Sequence, residues 1–169
     1  MSTPQLTVRY IPDDQYIGEL KVTVDSRGYC GTGVAWFDKE DLKQRFVTAL
    51  RAYPLSAASL PSIESGYLSK TYPKTLDQCH VRISVRPYNT QGLLLVQTDL
   101  ATEFGDTPDG DCQQTITTRF LTEYALLGAF ALDLAQLLDG KRDYAVLTGR
   151  QPGTPIRSVR LSNTPQGGA

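Results

Sequence analysis

The stretch Tyr124-Ala-Leu-Leu-Gly-Ala-Phe-Ala-Leu-Asp-Leu-Ala-Gln-Leu-Leu138 is apolar on nearly every face of a helix and carries one charge, Asp133. A helix of that composition needs cover on most sides. Asp133 and Gln136 interrupt it, and it falls short of the roughly 20 apolar residues that span a bilayer. It must therefore pack on a sheet, on other helices or on a second copy of itself. Ile116, Phe120, Tyr124, Leu127, Ala131, Leu134 and Leu138 recur at steps of three and four, which predicts one helix over 112–139 ending at Gly140. Unbroken, it would be about 42 Å long. In that helix Arg119 and Glu123 would pair four residues apart, and Gly128 would be either a close contact or a weak spot.

Upstream the period is two. Leu6, Val8 and Tyr10 alternate with polar residues, as do Leu20, Val22 and Val24, and Pro12-Asp-Asp turns between the two runs. Arg27 to Phe37 holds Gly28, Gly31 and Gly33, which suggests an irregular or bulged strand, or a tight turn at the glycines. Asp38 then caps a helix over 38–53, with Leu42, Phe46, Ala49 and Leu50 at helical spacing and Pro54 as its stop. Segment 54–78 reads mostly as loop, with a short strand at Ile63 to Leu68. His80 to Arg86 turns Val81, Ile83 and Val85 to one side and His80, Arg82, Ser84 and Arg86 to a wet side. Its partner is Gly92 to Thr102, and Tyr144 to Leu147 is a last strand. The fold class that follows is α+β, an antiparallel sheet with two main helices, 38–53 and 112–139, on one face. Residues 1–149 form one domain, and 150–169 form a basic tail rich in Pro and Gly.

The charge balance, 17 Lys and Arg against 18 Asp and Glu, gives no global field to gather nucleic acid or anionic lipid. The three cysteines, Cys30, Cys79 and Cys112, are odd in number and far apart, which fits a reducing compartment and points to the cytoplasm. The start, Met-Ser-Thr-Pro-Gln-Leu, lacks the pattern of a signal peptide. Neither a membrane nor a nucleic acid is expected as partner.

No residue set reads as catalytic. Cys79 and His80 are neighbours on a strand and point apart, so a Cys and His hydrolase would need Cys30 or Cys112 beside His80. A single imidazole and widely spaced thiols do not make a zinc site, and the glycines at 28, 31 and 33 precede a strand instead of a helix, unlike a phosphate loop. No cofactor is expected. The acidic segment 99–111, with Asp99, Glu103, Asp106, Asp109 and Asp111, lacks the calcium-loop pattern and reads first as a solvated link, next as a cation or partner site. Arg82, Arg86 and Tyr88 on the wet strand, with Glu103, Asp106 and Asp109 on the link, are the candidate partner-binding residues.

Three segments together carry a family resemblance: Gly28-Tyr-Cys-Gly-Thr-Gly-Val-Ala-Trp-Phe-Asp-Lys-Glu-Asp-Leu42 leading into a helix, the strands His80 to Arg86 and Leu93 to Thr102, and Asp111-Cys-Gln-Gln-Thr115. In this order the chain resembles bacterial immunity proteins of the WapI type, which accompany polymorphic toxins. The resemblance implies a non-enzymatic protein that binds and blocks a toxin domain. Two other readings stand beside it: a domain that dimerises through helix 112–139 and holds a small ligand between sheet and helices, and the hydrolase.

Overall fold

In the computed structural model, which describes residues 2–105, 109–151, 153 and 155, the chain is α+β with antiparallel sheets. The strands divide between two sheets of four. The first has the order β3 (Tyr29–Asp38), β2 (Ile17–Ser26), β1 (Gln5–Pro12), β8 (Ala145–Thr148). The second runs β4 (Ser62–Leu68), β5 (Leu76–Pro87), β6 (Leu93–Ala101), β7 (Thr115–Glu123). Among the described residues two helices complete the fold: α1 over 39–50, with a wide π turn at Leu42–Val47, and α2, Tyr124–Leu138.

The alternation expected for β1 and β2 is present, with Leu6, Val8, Leu20, Val22 and Val24 buried. The facing sheet buries Val81, Ile83 and Val85 of β5, Leu94, Val96 and Leu100 of β6, and Phe120 of β7. Both sets belong to one core, joined by Leu42, Phe46 and Leu50 of α1 and by Leu127, Phe130, Leu134, Leu137 and Leu138 of α2. The second helix touches strands of both sheets. The two helices therefore lie on the inner side, and among the described residues no element covers the outer faces of the sheets.

Asp38 caps α1 as the sequence suggested, its Oδ1 accepting the Asp41 N–H at 2.8 Å. A Lys43 to Asp139 ion pair fastens α1 to the end of α2.

Three expectations are corrected. The helix predicted over 112–139 begins only at Tyr124, is 15 residues long, and so measures about 22 Å. Its expected first turns are strand β7, where the β-branched run Thr115-Ile-Thr-Thr favours the pleat and pairs in register with β6. Arg119 and Glu123 thus share no helix face. Strand β3 is not bulged, since its pairing with β2 is unbroken from Ile17↔Asp38 to Ser26↔Tyr29. Its glycines serve other ends. Arg27 and Gly28 form the hairpin tip with φ of 53° and 85°, both left-handed, and a Cβ on Gly33 would lie 2.6 Å from the His80 carbonyl oxygen of the other sheet. Finally, His80 is not on a wet face. Ser65 pairs with Val81 and Gly66 with Cys79, so His80 is the extra residue of a β-bulge and is only 3 % exposed.

Among the described residues no helix is long and apolar enough to cross a membrane.

Candidate functional site

The outer face of the second sheet carries a connected row of polar side chains. Strand register sets it: Glu64 lies opposite Arg82, Arg82 opposite Asp99, and Asp99 opposite Thr117. Arg82 donates from Nε to Glu64 at 2.9 Å and stands 3.9 Å from Asp99. Asp99 also accepts the Thr117 hydroxyl at 2.6 Å and the Gln97 amide at 3.1 Å, while Arg119 donates to the Gln97 oxygen at 3.0 Å. The hydrogen bond to Glu64, then the charges around it, raise the Arg82 pKa further, so its cation is permanent. Exposed pairs of this kind are worth about 0.2–1 kcal/mol each, so stability alone gives little reason for the row.

Beyond it lie Arg86 and Tyr88. Arg86 is exposed and makes no ion pair among the described residues, and Tyr88, 59 % exposed, follows directly on β5 at the hairpin to β6. Leu95 and Leu121, half-buried, form an apolar strip beside Arg86. Arg82, Arg86 and Tyr88 are thus brought onto or beside one face, as the alternation required.

The acidic link is not part of that row. Glu103 pairs instead with the Tyr67 hydroxyl, an interaction that raises the Tyr67 pKa, followed in weight by desolvation. The Tyr67 ring meets the His80 ring edge-on at 4.7 Å. Gln78 ties the link down by exchanging hydrogen bonds with the Phe104 backbone, and its Oε1 also meets His80 Nε2 at 2.9 Å. Asp109 is exposed, its carbonyl accepting the Cys112 N–H, and Asp106 lies outside the described residues. Asp99 sits in the strand row, so the acidic residues disperse. Among the described residues no three His, Cys, Asp or Glu gather as a metal site.

The hydrolase reading needs a thiol on His80. No described thiol hydrogen-bonds that ring, whose partners are Gln78 and Tyr67. The Cys79 thiol points to the Val81 carbonyl at 3.6 Å, and burial, its largest influence, pushes its pKa up and away from the reactive thiolate.

One feature went unread in the sequence. After β8 the chain runs along the edge of β7: the Arg150 N–H donates to the Leu121 carbonyl at 2.6 Å, and the Thr122 hydroxyl donates to the Thr148 carbonyl at 3.0 Å. The first residues assigned to the tail, Arg150 and Gln151, are therefore docked, the Gln151 amide reaching the Thr3 hydroxyl at 2.8 Å. This strap covers an edge that would otherwise invite pairing. It also places Arg150 beside Arg119 and Arg27 in an open cleft of about 300 Å³. The three arginines are 31 to 123 positions apart in the chain, and no local spacing announces them.

Comparison with known protein families, with curated proteins and with solved structures finds no match.

Proposed function

We propose that this protein acts by binding another protein through the outer face of its second sheet, with Arg82, Arg86 and Tyr88 at the contact. The observation that carries the proposal is a sheet face, uncovered among the described residues, on which charged and amide groups are pre-ordered by cross-strand bonds, next to an exposed tyrosine and an arginine that makes no ion pair among the described residues. Arg and Tyr dominate binding energy at interfaces, and ordering them in advance lowers the entropy lost on association. The resemblance to WapI-type immunity proteins narrows the partner to a toxin domain, which the protein would block in the cytoplasm.

Co-purification from native cells tests this. A stoichiometric companion retained by the parent chain and by Lys21→Glu, on the first sheet, but lost by the double variant Arg86→Glu with Tyr88→Ala, supports the reading. A companion held equally by all three, or no companion and no protection against a co-expressed neighbouring toxin, ends it.

A second reading is favoured by the outward side of α2, where Ala125, Gly128, Ala129 and Leu132 are exposed and apolar. That side suits a symmetric dimer. Light scattering after size exclusion at micromolar concentration decides it: a monomer removes it.

A further inference from the structure

We infer that the cleft between the Arg27 hairpin tip and the β7 edge binds a small organic polyanion, a phosphate ester or polycarboxylate whose apolar part lies on Leu95, Phe120 and Leu121. Three arginines, Arg27, Arg119 and Arg150, line this one concavity. Among the described residues none has a carboxylate within 4.0 Å, and the only side-chain partner of Arg119 is the neutral amide of Gln97. The Arg150 Nε is buried and has no hydrogen-bond partner among the described residues.

Three uncompensated cations in one hollow stand out in a chain of net charge −1. Like charges at close quarters repel, and a buried guanidinium N–H without an acceptor is costly. An oxyanion removes both penalties at once, because the planar fork of Arg matches phosphate and carboxylate oxygens in pairs. One carboxylate would neutralise only one of the three, which is why the ligand carries two or more negative charges.

The site is also built. Arg150 is fixed by its own N–H on Leu121 and by the adjoining Gly149 N–H on the Pro4 carbonyl at 2.7 Å. Arg119 is oriented by Gln97, and Arg27 holds a left-handed φ of 53° at a tip where Asn or Gly would sit without strain. Its volume, about 300 Å³, is at the small end of ligand pockets, enough for a phosphate group with one ring. The cleft shares Tyr88, Leu95, Leu121 and Arg119 with the face proposed for the protein partner, but its ligand is a small molecule, so titration of the isolated protein tests it apart from any protein partner.

The test is calorimetric titration of the full chain at low salt with phenyl phosphate, citrate and inorganic phosphate. One saturable site for phenyl phosphate or citrate is expected, with inorganic phosphate about tenfold weaker because it forgoes the apolar contact. The tighter of the first two names the source chemistry. Arg150→Gln and Arg27→Gln should each weaken binding about tenfold or more, the loss of one charge-assisted pair, while Arg45→Gln, on α1 and paired with Asp41, should not. Should Arg150→Gln fail to fold, Arg27→Gln at the exposed tip carries the test. No saturation by any probe up to about 10 mM, or identical affinities for the parent and Arg27→Gln, overturns the inference.

Discussion

Thr98 and Thr118 stand opposite one another on β6 and β7 and face inward between Val96 and Phe120 on one side and Leu100 and Ile116 on the other. Thr98 is fully buried, and neither hydroxyl has a hydrogen-bond partner among the described residues. A buried hydroxyl left unpaired costs about 1–3 kcal/mol, whereas valine of the same shape carries no such penalty and suits a strand equally well. Thr98→Val should therefore stabilise the protein by about 1 kcal/mol, and the double variant with Thr118→Val by about 2 kcal/mol. For a chain of this size each kcal/mol corresponds to a rise in Tm of about 2–4 °C. Urea unfolding followed by circular dichroism reads the change directly, as a higher midpoint at an unchanged slope. Loss of stability in each single variant, recovered in the double, would refute the reasoning, because it would mean that the two hydroxyls satisfy each other.

Gly128 sits within α2 with open space where a Cβ would stand, so Gly128→Ala should stabilise by about 0.5–1 kcal/mol in a monomer. A destabilised variant would instead signal that this helix face is covered. Gly33→Ala places a methyl against the His80 carbonyl oxygen and should cost about 1–3 kcal/mol, measured by the same urea titration. A neutral result would mean that β3 does not lie against β5. Asp14 is held below the usual carboxylate range by the N–H groups of Ile17 and Tyr16, and Asp139 by its bond from Lys43. Both folded values lie below the unfolded ones, so this stability is present above about pH 4 and is lost as the pH falls through the depressed values. The urea midpoint should fall over that window, and less steeply in Asp139→Asn; a rise on acidification would contradict the assignment.

Strands β1, β2, β5 and β6 and the first helix are legible because their signals are local. Leu6 to Val24 and Val81 to Val85 alternate with a period of two, and Asp38 has a capping partner three residues ahead. The start of α2 is ambiguous in the sequence because a step of four is common to both periods: Ile116 and Phe120 fall on one side of a strand as well as on one side of a helix. The β-branched run between them was the stronger cue, and it marks a strand. His80 illustrates a second limit. One extra residue opposite Gly66 reverses the alternation on which the wet-face reading rested, and a bulge of that kind depends on the partner strand. The division into two sheets and the arginine cleft rest on contacts between segments far apart in sequence, such as Gly33 with His80 and Arg150 with Leu121. Composition and spacing carry no trace of these. Of the proposed contact residues, Arg82 and Arg86 were visible from the alternation of β5, whereas their separation from Glu103 follows from the link folding back onto Gln78.

Hydroxyl-radical footprinting of the protein with its co-purified companion compares the two outer faces in one experiment. Tyr88, beside the second sheet, and Trp36, on the first, are similarly exposed in the free chain at 59 % and 53 %. The account predicts that the companion shields Tyr88 and leaves Trp36 as reactive as before. Shielding of Trp36 with Tyr88 unchanged would contradict it.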